Sequence, residues 1–99
     1  MFNHLPIPLI DIQVKSDGSF RKVPKTHDLR LANIQWLIDD NPEVLVISLG
    51  WSRVVKPRQE IYDFKGCKIH LLPNAEAIEL FNTLQKEGKR VAIQYHSTC

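Results

Sequence analysis

The stretch Glu43-Val44-Leu45-Val46-Ile47-Ser48-Leu49 most constrains what this chain can fold into. Its aliphatic and β-branched side chains run almost unbroken, without the period-two alternation of a strand that keeps one face in water. Such a run reads as a central strand buried on both faces, so the chain must supply cover above and below it. Two further strands follow, Cys67-Lys68-Ile69-His70-Leu71-Leu72 and the segment from Lys89 to Tyr95.

The intervening segments read as helices. Leu31, Ile34, Leu37 and Ile38 recur at helical spacing, with Asp28 placed to cap the free amides of the first turn and Asp39-Asp40-Asn41-Pro42 closing the helix. This predicts a helix over about Leu29 to Asp39. After the break Gly50-Trp51-Ser52-Arg53, Pro57 suits the first turn of a short helix carrying Ile61 and Phe64, with Gly66 at its C′ position. Asn74 is expected to cap a third helix, Ala75 to Glu87, whose stripe is Ala77, Ile78, Phe81 and Leu84, and Gly88 ends it.

Ahead of all this, Leu9 to Val14 alternates, with Ile10, Ile12 and Val14 on one face and Asp11 and Gln13 on the other. Ser16-Asp17-Gly18-Ser19 has hairpin-turn chemistry, and Phe20 to Val23 returns as a short basic edge strand ended by Pro24. The order is β-β-α-β-α-β-α-β. The expected fold class is therefore α/β, a single layered domain over residues 1–99. It has a mostly parallel central sheet, an N-terminal hairpin (9–23) and an αβαβαβ core (27–99). Right-handed crossovers make the strands near Glu43, Cys67 and Arg90 parallel.

The totals exclude several classes. Ninety-nine residues make one domain, burying roughly 65% of its unfolded surface. Thirteen basic against eleven acidic residues give a net charge of +2, far from the basic balance of a nucleic-acid binder. No run is long and apolar enough for a membrane span. Met1 to Ile12 has neither a basic start nor a small-residue cleavage site, so no signal peptide is expected. Cys67 and Cys99 fit reduced thiols, and a cytoplasmic setting is expected.

Several features together resemble a known family. They are Val46-Ile47-Ser48-Leu49-Gly50, the short helix led by Pro57, the strand near Ile69, Ala77 with Phe81-Asn82, and the close from Gly88-Lys89-Arg90-Val91-Ala92 to His96-Ser97-Thr98-Cys99. Over about His27 to Cys99 the chain is similar to the small α/β domains of the adipogenesis-associated domain protein and the mitochondrial complex I assembly factor 3, a domain of unknown function. The resemblance implies a compact layered fold, no assigned chemical activity, and a role in assembly or regulation. The chain departs from the family pattern at Leu49-Gly50-Trp51, where members tend to have Gly-x-Gly, at Pro73-Asn74, where a threonine is common, and in its short N-terminal hairpin region.

Candidate sites follow from topology. Ligands collect beyond the carboxyl ends of parallel strands, which puts Gly50, Trp51, Ser52, Arg53, Asn74, His96 and Cys99 at one edge as candidate ligand-binding residues. The alternative is that Gly50 only turns the chain, Trp51 covers the sheet end and the last residues pack. Arg53, Lys56 and Arg58 at the start of the Pro57 helix would suit a small anion, or be solvated surface. His96 with Cys99, and Cys67 with His70, have metal-like spacing, but residues three apart in a strand point to opposite faces, so no metal is expected. A Cys99 nucleophile with His96 as base lacks a locally placed group to orient the imidazole, Asn82 and Asp63 being the ones to consider, and the terminal carboxylate would raise the thiol pKa. Trp36 falls at the rim of its helix stripe, either as an interface anchor or as partly covered surface.

The expected function is a non-catalytic binding or assembly module without a cofactor, with a protein partner or self-association through an aromatic patch, and without nucleic acid or membrane. The alternative is a small-molecule or anion-binding domain, or a weak enzyme, with its site at the carboxyl edge of the parallel strands.

Overall fold

A computed structural model describes residues 10–24, 26–50 and 55–96. Its elements are β1 (Ile10–Val14), β2 (Phe20–Pro24), β3 (Asp28–Leu29), a 3-10 turn (Leu31–Ile34) running into α1 (Gln35–Ile38), β4 (Val44–Ser48), β5 (Lys56–Pro57), α2 (Gln59–Asp63), β6 (Lys68–Leu72), α3 (Asn74–Lys86) and β7 (Val91–His96). Five strands form one sheet in the order β2-β1-β7-β4-β6, and β3 pairs with β5 in a small second ladder. β7, β4 and β6 are parallel, while β1 is antiparallel to both β7 and β2. Only β1 therefore runs against the other four, and the fold is a mixed α/β domain with a mostly parallel central sheet.

Crossover handedness decides which helix covers which face. The step from β4 to β6 moves one strand outward and carries α2, whereas the step from β6 back past β4 to β7 reverses direction and carries α3. Right-handed connections running in opposite directions put their helices on opposite faces. Accordingly Leu45, Ile47 and Ala92 pack with Leu29, Ile34, Leu37 and Ile61 on one side, while Val46, Val91 and Ile93 pack with Ala77, Leu80, Phe81 and Leu84 of α3 on the other. Each fully buried aliphatic side chain contributes about 1.5–3 kcal/mol. The doubly covered β4 explains the unbroken apolar run around Val46.

Several local expectations are corrected. The first helix starts at Leu31, not Leu29, because residues 28 and 29 pair with residues 56 and 57; Lys56 N–H donates to the His27 carbonyl (2.6 Å) and Arg58 N–H to that of Leu29 (2.8 Å). Asp28 is thus no N-cap. The amides at that helix start go instead to Asn33 Oδ1 (from Arg30, 2.7 Å) and Glu60 Oε2 (from Leu31, 2.6 Å). For the same reason Pro57 lies in β5, and α2 begins two residues later with Arg58 as its N-cap. Gly66 is not a left-handed C′ residue; its open side is taken by the Phe64 ring, whose Cζ would stand 2.5 Å from a Cβ there, so a side chain would require that ring to move. Finally, Pro73 occupies the N-cap of α3, which makes Asn74 its first residue, and Leu80 joins the buried stripe while Ile78, 37% exposed, sits at its margin.

Gly88 does end α3 as expected. At φ +80 it turns the chain left-handed so that Gly88 N–H reaches the Gln85 carbonyl and Lys89 N–H that of Leu84, both at 3.0 Å. Arg90 then reaches across to the carbonyls of Asp40 and Asn41, fastening the end of α1 to the start of β7.

Candidate functional site

The unusual part of the molecule is where β1 joins β7. Alternation sends Ile12 and Val14 of β1 and Ile93 and Tyr95 of β7 toward the α3 side, and Asp11, Gln13, Gln94 and His96 toward the other. The antiparallel register places Asp11 directly opposite His96 and Gln13 directly opposite Gln94. Four polar side chains thus form a square beneath the 3-10 turn, and all four are buried, Asp11 and His96 at 1% exposure each.

Burial of this much polarity requires mutual satisfaction, and the square provides it in one direction. Arg21 Nε donates to Gln13 Oε1 (2.9 Å); Gln13 Nε2 donates to Gln94 Oε1 (2.6 Å) and to the Asn33 carbonyl (2.6 Å); Gln94 Nε2 faces Asp11 Oδ2 at 3.5 Å. Asp11 Oδ1 lies 3.0 Å from His96 Nδ1, and Thr26 N–H approaches Asp11 Oδ2 at 3.4 Å. Both amides turn their oxygen toward Arg21 and their nitrogen toward Asp11. The His27 ring meets that of His96 edge-on, with centroids 5.1 Å apart.

Outside the square lies a cavity of about 350 Å³ lined by Arg21, Val23, Pro24, Thr26, Ala32, Asn33 and Gln94. This is near the lower end of the range, about 300–1,000 Å³, in which small-molecule sites fall. Among the described residues, Arg21 is the only charged one that lines it, and no carboxylate does. The guanidinium rests 4.6 Å from the Trp36 ring centroid, and Lys15 Nζ stands 4.2 Å from the same centroid. Trp36 is therefore a half-buried platform for two cations.

At the carboxyl edge the structure brings Gly50, Asn74 and His96 together. Gly50, at φ +88, donates its N–H to Asn74 Oδ1 (3.0 Å) and accepts from Asn74 N–H (3.2 Å); Asn74 Nδ2 donates to the His96 carbonyl (2.7 Å), and Ser48 Oγ accepts the His96 N–H (2.6 Å). The Asn74 amide thus ties the ends of three elements rather than capping a helix. Trp51, Ser52, Arg53 and Cys99 lie outside the described residues. Of the expected anion set, Lys56 is exposed on β5 and Arg58 is engaged by Asp28 through two 2.7 Å contacts, which hold the Asp28 carboxyl down at about 2. Asp63 and Asn82 are exposed; the acid beside the His96 imidazole is Asp11. Burial pushes the Cys67 thiol pKa up, and among the described residues no three His, Cys, Asp or Glu side chains cluster as metal ligands.

Sequence reasoning passed over Asp11, Gln13, Arg21, Asn33 and Gln94. The available signal was the alternation itself: if the hairpin joins a sheet covered on both faces, its polar side is buried and must be satisfied.

Fold and site together describe a small mixed α/β domain with a buried polar square beside a cationic cavity. No family model matches the chain. Its structure is similar to that of MT938, with a TM-score of 0.73 and 27% sequence identity over 91% of this chain and 82% of that one. It is also similar to the conserved hypothetical protein PH1505 from Pyrococcus horikoshii OT3, with a TM-score of 0.70 and 19% identity over 91% of this chain and 84% of that one, a likeness of fold alone.

Proposed function

We propose that the chain is a non-catalytic binding domain that receives a small molecule in the cavity beside the β1–β7 square. The observation that carries this reading is the position of Gln94. It lines the cavity, whereas Asp11 and His96 are not among the described lining residues, and the described links from this buried acid–base pair to the cavity wall are the Gln94 carboxamide and the Thr26 backbone N–H, both of which meet Asp11 Oδ2. An amide passes no proton at ordinary pH, and a general base must reach its substrate directly or through one water. The square therefore serves as a rigid floor that orients Arg21. Nitrogen-15 chemical-shift mapping with a fragment library tests the reading. Saturable shifts at Ala32, Asn33 and Gln94, lost in an Ala32→Phe variant that fills the cavity, are expected. Fragments that shift only residues elsewhere count against it.

A second observation favours a protein partner. Ile12, Val14, Ile78, Phe81, Ile93 and Tyr95 line a groove of about 220 Å³ between α3 and the sheet, with no charged side chain among the described lining residues. With the resemblance to the adipogenesis-associated and complex I assembly factor domains, this supports an assembly role exercised through a protein surface or self-association, without nucleic acid. No described helix is long and apolar enough to cross a membrane, and the free thiol of Cys67 suits a cytoplasmic setting. Co-purification from native lysate with wild type and an Ile78→Lys variant tests the partner surface, since recovery of identical partners by both removes the groove from consideration.

A further inference from the structure

We infer that the cavity selects a small organic carboxylate, with the carboxylate taken by Arg21 and a short aliphatic body lying against Val23, Pro24 and Ala32. This inference rests on the reading of the cavity as a binding site and narrows it to a ligand class. Three features of the site lead there.

The first is the fixed direction of the hydrogen-bond chain. Gln13 spends its amide nitrogen on the Asn33 carbonyl and on Gln94 Oε1, so its oxygen must face Arg21. Gln94 is oriented the same way by Asp11 Oδ2. The buried carboxylate thus sets the orientation of two amides in series, and the series ends by holding Arg21 Nε at 2.9 Å. A long flexible side chain is thereby held at one end before any ligand arrives, which reduces the ordering cost of binding.

The second is what Arg21 does not touch. Among the described residues its terminal amino groups make no ion pair, unlike Arg58 and Arg30, which engage Asp28. Its contacts among the described residues include the neutral Gln13 oxygen and the face of Trp36, which it shares with Lys15. Neither neutralises its charge, and the second cation adds to the local positive potential. A guanidinium held in this way offers the paired N–H geometry that a carboxylate matches in bidentate fashion.

The third is the wall. Val23, Pro24 and Ala32 give the cavity an apolar side opposite a small set of polar groups, the usual division of labour between body and head of a ligand. A bare inorganic anion would use the guanidinium and leave that wall against water.

The test compares three probes on the same isotopically labelled protein: butyrate, its neutral isostere butyramide, and inorganic phosphate. Butyrate is expected to shift the amides of Ala32, Asn33 and Gln94 and the Arg21 Nε–H saturably, with butyramide weaker by about tenfold. In Arg21→Met the two should become equal. Butyramide binding as tightly as butyrate at those amides would overturn the carboxylate class while leaving the cavity as a binding site. Phosphate binding as tightly as butyrate would overturn the aliphatic body. Silence at these amides with all three probes and with the wider library would end the binding-site reading itself. The comparison of probes needs no variant, so a folding defect in Arg21→Met cannot blur it.

Discussion

The two faces of the β1–β7 pair are built from alternating residues of the same strands, yet they do opposite things. Toward α3 they present Ile12, Val14, Ile93 and Tyr95, which need only be excluded from water. Toward the 3-10 turn they present Asp11, Gln13, Gln94 and His96, each of which must find a partner in a particular direction. The apolar face tolerates rearrangement, because dispersion and the hydrophobic effect are non-directional. The polar face does not, since a half-satisfied buried network costs more than no network. A chain that keeps such a square beside a cavity holds a geometry there, and stability alone would be served as well by leucines.

That contrast can be broken most forcefully at Asp11. Asp11→Ala removes the carboxylate from a fully buried imidazole and from the end of the amide series, and a loss of about 3–5 kcal/mol in urea unfolding is expected. The double change Asp11→Leu, His96→Leu replaces the pair by apolar groups and should cost far less than the single one. If the double variant is the less stable of the two, the polar face is a stabilising element and the contrast collapses. Next in size is Asn74→Ala, which strands the buried Gly50 N–H and the His96 carbonyl at the carboxyl edge; about 2–3 kcal/mol is expected from the same measurement. On the apolar side, Val46→Ala should cost about 1–2 kcal/mol through lost burial and a small cavity. It should leave the butyrate-induced shifts at Gln94 unchanged, whereas Gln13→Leu, which frees Arg21, should abolish them. Equal effects of Val46→Ala and Gln13→Leu on those shifts would mean that the two faces are not functionally distinct.

These faces also mark where the amino-acid sequence is legible and where it is not. The run around Val46 could belong only to a doubly covered strand, and from it the parallel strands near Ile69 and Val91 and the meeting of Gly50, Asn74 and His96 at one edge follow by crossover geometry. The alternation of Asp11 and Gln13 with Ile12 and Val14 was equally plain. What it could not reveal is that β1 inserts beside β7, a contact joining residues 81 apart, Gln13 and Gln94. Without that neighbour the polar side of the hairpin reads as solvated. At Asp28 and Pro57 the failure was of another kind: both carry strong local signals for helix starts, and the pairing of β3 with β5, together with the Asp28–Arg58 contact, overrides them.

The smallest expected effect concerns that same Asp28, the exposed counterpart of Asp11. Here too a carboxylate meets a nitrogen base, but in solvent, with both side chains about half exposed. Hydrogen bonding from the Arg58 guanidinium, helped by its charge and that of Arg30, lowers the Asp28 pKa from 3.8 to about 2. A carboxyl depressed in the folded state contributes stability that is fully present above its unfolded value and is lost as pH falls through the folded one. Wild type should thus lead Asp28→Asn in melting temperature at pH 6, and the lead should disappear between about pH 4 and pH 2. Because the pair is screened by water and salt, the lead should be small and should shrink as ionic strength rises. The Asp28 carboxyl carbon, followed by carbon-13 NMR, reads the same event directly. A midpoint near 3.8 would show that the guanidinium does not hold it, and the fixation of β3 against β5 would then rest on the backbone pairing alone. A large, salt-insensitive lead would place this exposed pair in the same class as Asp11 and His96, and burial would no longer be what separates the two.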